Sequence, residues 1–341
     1  MLRSLRRAGN RSSTVIIGKS VVRIKFLFAV LLTAVLLTAG CGESVKQSKL
    51  SPALGEKEIL VATTGHIADA LRRLTDNHEI VQLCGPGVDP HSYSASMKDV
   101  QVISDAKAVF FNGFHLEARL HDVLEDKFAD KCWAMASAFP PEARLDWVED
   151  GQVDPEAPFD PHIWNHLPGW GECIKGMTAK LCELDPDNAA EYQTRGDVYV
   201  DEIMTAHGAA VEKFSTLSEE QRVLVSAHDA FNYFAEVYDF EAIAVLGVGN
   251  DAEADVKTIR DVAVTVCDKK VPAIFLENIT NPKVTAALQE ACQAKGWEVR
   301  IAEEPLYSDD LGVDPPLDTF LGTFNHNVDL ITESLSEKIA D

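Results

Sequence analysis

Basic residues are scarce in this chain of 341 residues: 31 Lys and Arg stand against 54 Asp and Glu, a formal net charge of −23. A phosphate-binding surface needs a basic footprint, so nucleic acid is excluded as a partner and a cationic one is favoured. Cysteine is sparse and never spaced as Cys-x-x-C, which removes support for a thiol-redox motif or a Cys-rich zinc site. No apolar run is long enough to span a membrane comfortably; the run from Phe26 holds roughly 14 residues where a transmembrane helix needs about 20. Internal repeats and low-complexity tracts are lacking too. With 46% apolar and 25% charged residues the chain is neither disordered, nor collagen-like, nor a disulfide-dense scaffold, and its length accommodates two domains.

The few basic residues are unevenly placed. Arg3, Arg6, Arg7, Arg11, Lys19, Arg23 and Lys25 precede the apolar run Phe26 to Leu37, and no acid occurs before residue 41. Thr38-Ala39-Gly40-Cys41 then supplies small residues for cleavage, so residues 1–40 are expected to be an export signal. Ala-Gly-Cys resembles the bacterial lipobox, with Leu37 one step earlier than usual. The resemblance implies that Cys41 is lipidated and anchors the mature chain outside the cytoplasm. Residues 41–56 are polar and read as a tether. The other six cysteines, Cys84, Cys132, Cys173, Cys182, Cys267 and Cys292, are an even number in an oxidising compartment, so disulfides are expected, with Cys267 to Cys292 the preferred pair.

From residue 57 onward short apolar runs alternate with helical patterns, the signature of βαβ units and a parallel sheet. The pattern predicts strands at Glu58 to Thr64, Glu79 to Cys84, Lys107 to Asn112 and Cys132 to Ala136, with helices near His66 to Thr75, Met97 to Asp105 and Leu116 to Phe128. A second set follows, with strands at Arg222 to Ala227, Phe240 to Leu246, Pro272 to Glu277 and Glu298 to Ala302. Its helices are expected near Ala230 to Val237, Ala254 to Asp268, Pro282 to Lys295 and Asp318 to Ser334. Between the sets, Tyr192, Tyr199, Ile203, Ala210, Phe214 and Leu217 recur at helical spacing, which predicts one helix roughly 46 Å long. The expected fold class is α/β, with two lobes, each a four-stranded mostly parallel sheet flanked by helices, joined by one long backbone helix. The N-terminal lobe is placed at 57–186, the linker helix at 187–217 and the C-terminal lobe at 218–341.

Chemistry gathers at four places. Gly85-Pro86-Gly87-Val88-Asp89-Pro90-His91 ends a strand in a Gly/Pro turn that delivers His91, and Phe159-Asp160-Pro161-His162 repeats the Asp-Pro-His tripeptide. Proline stiffens such a loop, which suits a ligand. One strand of the second half runs into His228, and another leads through Leu306-Tyr307-Ser308 to Asp309. Ligands of open parallel sheets bind beyond the carboxyl ends of the strands, so His91, His228 and Asp309 lie where a site belongs. Three imidazoles and one carboxylate form a transition-metal donor set, because Mg²⁺ and Ca²⁺ prefer oxygen shells. The nitrogen-rich set favours one Zn²⁺, with Mn²⁺ the alternative.

At these residues the chain resembles the metal-binding lipoproteins of bacterial zinc and manganese ABC importers, a solute-binding family with two α/β lobes on a long backbone helix. The resemblance covers nearly all of residues 57–338. It rests on Thr63-Thr64-Gly65 with Ile67-Ala68-Asp69-Ala70, the Gly-Val-Asp-Pro-His-Ser-Tyr segment ending at Tyr93, Asn112 to Glu117, the second Asp-Pro-His, the His228 segment, and Leu306 to Asp309. It implies that His91, His162, His228 and Asp309 are the metal ligands, that the metal is cargo, and that the partner is a membrane permease served by a monomer. Asn165-His166 stands where the family commonly has Leu-Asp or Phe-Asp, and His66 where it commonly has Met. The loop before His162 is acidic, whereas many zinc-specific members have a His-rich one. His66 reads as a helix-start residue and His166 as a bystander. His115 and His121, six apart on an expected helix, would not share a face.

Two other functions are compatible with these residues. A zinc hydrolase needs an open coordination position and a general base; Glu277 could be cast as that base, but a strand-end carboxylate is more often a cap or a partner behind a metal ligand, and four protein ligands close the shell, so no enzyme is expected. A lipid-anchored adhesin of the same fold is the other alternative, since lipid-tethered members of the family have been called adhesins.

Overall fold

The computed structural model describes residues 57–149, 152–153, 155, 157–247 and 255–336; the expected export signal, Cys41 and the tether lie outside the described residues. Strands β1 (Glu58–Ala62), β2 (His78–Gln82), β3 (Ala108–Phe111) and β4 (Cys132–Ala134) form a parallel sheet in the order β2-β1-β3-β4. Successive residues of a strand face opposite ways. Leu60 and Ala62 of β1 therefore meet Ile67 and Leu71 of helix α1 (Gly65–Leu74), while Val61 packs with Ile103 of α2 (Met97–Asp105) on the other face. Both faces being covered, β3 reads Ala-Val-Phe-Phe without alternation. Thr64 caps α1 by accepting from the Ile67 amide, and Ser96 with Asp99 forms a capping box on α2.

Leu116 to Phe128 is not the α-helix expected. Gly113, Phe114 and His115 enter it at φ of 85°, 50° and 66°, a left-handed run that no α-helix contains, and a 3₁₀ turn (Ala118–Leu120) and a π turn (Asp122–Lys127) follow. A short antiparallel hairpin of β5 (Val148–Glu149) and β6 (Gln152–Val153) interrupts the acidic loop.

Helix α3 (Leu167–Leu184) was not foreseen, because Pro168, Gly169, Gly171 and Gly176 disrupt its helical pattern. Pro168 sits in the first turn, where its missing N–H costs nothing. At Gly169 a Cβ would fall 2.3 Å from the Phe139 ring, so close approach demands glycine. Helix α4 (Ala189–Phe214) buries Tyr192, Gly196, Tyr199, Ile203, Ala206, Ala210 and Phe214, a stripe at steps of three or four residues against α3. Its 26 residues reach about 39 Å. Buried Asp69 of α1 accepts from Tyr199 Oη at 3.3 Å and from the Phe320 amide at 3.2 Å, and Arg73 stacks over Tyr199 at 4.6 Å while pairing with Glu202 at 2.7 Å.

In the second half β7 (Val223–Ser226) pairs in parallel with β8 (Glu241–Ala244), and β9 (Ala273–Ile274) with β10 (Arg300–Ile301). These are two pairs rather than one continuous four-stranded ladder. The Phe275 amide donates to Val225 O at 2.9 Å and brings β9 alongside β7. Helices α5 (Asn232–Tyr238), α6 (Val256–Asp268), α7 (Pro282–Ala294) and α8 (Phe320–Ser336) complete it. Val225, Ile274, Val262, Val266 and Leu288 share one core, whereas the larger core under α3, α4 and α8 draws on both halves. All six described cysteines are free thiols, so the expected disulfides are not formed here. Cys132, Cys173 and Cys292 belong to three separate cores, and Cys267 Sγ lies 4.0 Å from Cys292 O.

Candidate metal centre

Each Asp-Pro-His tripeptide folds the same way. Asp89 Oδ1 accepts from the His91 amide at 2.9 Å, and Asp160 Oδ1 from the His162 amide at 2.9 Å, an Asx turn that aims the following imidazole. The aspartate makes the turn and the proline stiffens it, which is why the tripeptide occurs twice. Asp160 goes further and takes His162 Nδ1 at 2.8 Å. Asn112, at the end of β3, donates to Pro161 O at 2.8 Å and seats the loop on the first sheet.

His228 leaves β7 and is met by Glu277, beyond β9. Glu277 Oε1 accepts from the Ala227 and His228 amides at 2.7 and 2.9 Å, and Oε2 holds His228 Nδ1. Asp309 follows β10, in a loop anchored by Leu306 N to Leu276 O at 2.8 Å and by Trp164 Nε1 to Ser308 O at 2.7 Å.

These loops bring His91, His162, His228 and Asp309 together, with one donor atom of each within 4.8 Å of all the others. No other such group of three or more occurs among the described residues. His91 Nε2 lies 3.3 Å from His162 Nε2 and 3.4 Å from Asp309 Oδ2; His228 Nε2 lies 3.2 Å from Asp309 Oδ2, and His162 Nε2 lies 3.6 Å from Asp309 Oδ1. A tetrahedron with Zn–N bonds of about 2.0 Å has edges of about 3.3 Å, close to these four separations, and with all four donors within 4.8 Å of one another the space they enclose is of the size one ion needs. Three of the side chains are fully buried; that of His91 is 10% exposed and marks the side open to solvent.

Electrostatics distinguish the four. Burial disfavours charge on His228, yet Glu277 and Asp309 hold its pKa well above the ordinary value. His162 is likewise raised, burial being outweighed by Asp160 and Asp309. Burial would lift Asp309, but His228, His91 and His162 hold its carboxyl well below the usual range.

The other histidines are not among the four donors, although His66 is close enough to feel the charges of Asp309 and His162. His66 is buried in α1, stacked on Trp164 at 4.8 Å and edge-on to Phe320 at 5.8 Å, and burial pushes its pKa down to about 4. His166 caps α3, its Nδ1 accepting from the Gly169 amide at 2.8 Å. His115 and His121 come within 6.0 Å ring to ring, contrary to the helical expectation, because the left-handed turn at Phe114 and His115 replaces the helix. Sequence reasoning missed Asp160, whose signal was the repeated tripeptide itself, and Trp164, which had none.

A cage of three imidazoles and one carboxylate, set where two parallel-sheet halves meet, defines a metal-binding protein of the two-lobed solute receptor class. Residues 60–334 match the family model of the periplasmic zinc-uptake complex component A, ZnuA, and the chain belongs to that family. It is 34% identical to the zinc-binding protein TroA of Treponema pallidum over 82% of this chain and 89% of that one, and 30% identical to the manganese-binding lipoprotein MntA of Bacillus subtilis over 91% and 98%. The solved structure of periplasmic zinc-binding TroA superposes with a TM-score of 0.77, covering 82% of this chain and 99% of that one. Fe(III)-bound YtgA from Chlamydia trachomatis follows at 0.72, with 27% identity over 84% of this chain.

Proposed function

We propose that this protein captures one divalent transition metal between its two lobes outside the cytoplasm and delivers it to the permease of an ABC importer. His91, His162, His228 and Asp309 are the ligands, and the metal is cargo. The observation that carries the reading is the buried His₃Asp cluster, its four donor atoms within 4.8 Å of one another, in a chain of the zinc-uptake family. Four protein donors leave no open position for a substrate, and both oxygens of Glu277 are engaged by His228 and its backbone, so binding rather than hydrolysis suits the centre. Three nitrogens against one oxygen favour Zn²⁺ over Mn²⁺.

The division into lobes at 57–186 and 218–341 about a helix at 187–217 is part of the same proposal, as are a monomeric chain and a lipid on Cys41 that keeps it at the membrane.

Metal titration of protein purified metal-free tests the reading: one tight ion per chain is expected, adding about 4 kcal/mol of stability at 1,000 times its dissociation constant. Absence of tight binding by both Zn²⁺ and Mn²⁺ refutes it. Cys41→Ser should free the chain from membranes while leaving metal binding unchanged.

A further inference from the structure

The residue after the fourth donor has no assigned part in the site. Asp310 is buried, and its two carboxylate oxygens are taken up differently. Oδ1 accepts from the Leu311 amide at 2.6 Å, within its own loop. Oδ2 accepts from the amide of Gly87, which belongs to the turn that delivers His91 from the other half of the chain.

The turn explains why that amide is available. Val88 N donates to Gly85 O at 3.0 Å, Pro86 occupies the second position and Gly87 the third at φ 78°, a type II turn. The bond that closes such a turn uses the amide of its fourth residue, so the Gly87 N–H remains free to donate outward. A positive φ makes this position costly for any residue with a side chain. Gly87 is exposed, so without Asp310 its amide would turn to water.

The segment around Asp309 is thus pinned to the first half on both sides. Trp164 Nε1 holds Ser308 O before the ligand, and Gly87 N holds Asp310 after it. Leu311 adds an apolar contact, its Cγ lying 3.1 Å from where a Cβ on Gly65 would stand.

We propose that Asp310 is a positioning residue that latches the Asp309 loop to the His91 turn and thereby sets how slowly the metal leaves. The inference rests on the metal-receptor reading above. A ligand atom on each side of the lobe boundary must keep a fixed separation for the cage to stay closed, and the Gly87 to Asp310 bond spans that boundary beside His91, the one donor with solvent exposure. Opening the cage on that side requires breaking it.

The test is release of Zn²⁺ from the full chain into an excess of chelator, followed by stopped flow, for wild type, Asp310→Ala, Asp310→Ser and Asp310→Asn. Asp310→Ala and Asp310→Ser should release about tenfold faster or more, the scale of a lost hydrogen bond to a charged acceptor. Asp310→Asn keeps one acceptor oxygen where the carboxylate has two, so it can accept from Gly87 or from Leu311 but not from both, and its release rate should fall between wild type and Asp310→Ala. The Co²⁺ absorption band should shift in Asp310→Ala and Asp310→Ser, a signature that a role in folding alone would not move, and metal-free melting should stay close to wild type. Wild-type release rates in Asp310→Ser, or an unshifted Co²⁺ band in Asp310→Ala, overturn the latch. Absence of metal binding in the wild type refutes the receptor reading instead, so the two failures are told apart.

Discussion

Glu277 holds His228 twice, through the imidazole Nδ1 with one oxygen and through the backbone amide with the other at 2.9 Å. Ring and chain are therefore oriented by one buried carboxylate, and Nε2 is left to face the centre at 3.2 Å from Asp309. Carboxylates behind metal-binding imidazoles fix the tautomer and raise basicity, and their loss costs 10–100-fold in affinity. Glu277→Gln should weaken Zn²⁺ binding by about that factor while keeping one ion per chain, as calorimetry would show. An unchanged affinity would mean that the carboxylate only ties backbone.

Single replacement of His91, His162, His228 or Asp309 by Ala removes a bond to the metal. Each loss should exceed the roughly 100-fold that a supporting residue can cost, measured by competition with a chelator. His115→Ala and His121→Ala should leave affinity close to wild type. His166→Ala should act on stability by about 1 kcal/mol, as loss of a helix cap does, with metal affinity preserved.

Protons compete with the metal at this centre. His162 and His228 have pKa values raised above 6.5 by Asp160, Glu277 and Asp309 against the effect of burial, so in the metal-free protein they hold protons to higher pH than free imidazole. The ion must displace them, and affinity should fall with falling pH, starting above about pH 6.5. Calorimetry in buffers of different ionisation enthalpy counts the protons released. A flat affinity from pH 8 to 5.5 would contradict the donor assignment.

His66 works in the opposite sense on stability. Burial lowers its pKa from 6.5 to about 4, so between those values the unfolded chain binds a proton that the folded one does not. Stability is unaffected above pH 6.5 and falls as pH drops toward 4, by about 3 kcal/mol in all. His66→Phe, which keeps an aromatic face for Trp164, should remove that loss, read as a smaller difference in denaturation midpoint between pH 7 and pH 4.5. An equal pH slope in both proteins would show that His66 is not the responsible group.

What the sequence determined by itself is short-range. Alternation of apolar runs with helical stripes depends on the pleat and the helical turn, so the order of strands and the helix at 189–214 could be read directly. Asp-Pro-His carries its own turn chemistry, and the strand-end rule placed His228 and Asp309 before any contact was known. Only the tertiary structure decided the rest. Convergence of residues 71 positions apart, as His91 and His162 are, depends on how the sheets are seated on α3 and α4, and no local pattern encodes it. The same holds for α3 itself, whose glycines look like breaks until Phe139 and α4 lie against it, and for the left-handed turn that unmakes the helix at 116–128. Asp160, Glu277 and Asp310 acquire their roles from partners across the fold. A carboxylate's function is set by which donor faces it, and that is a property of packing rather than of spacing along the chain.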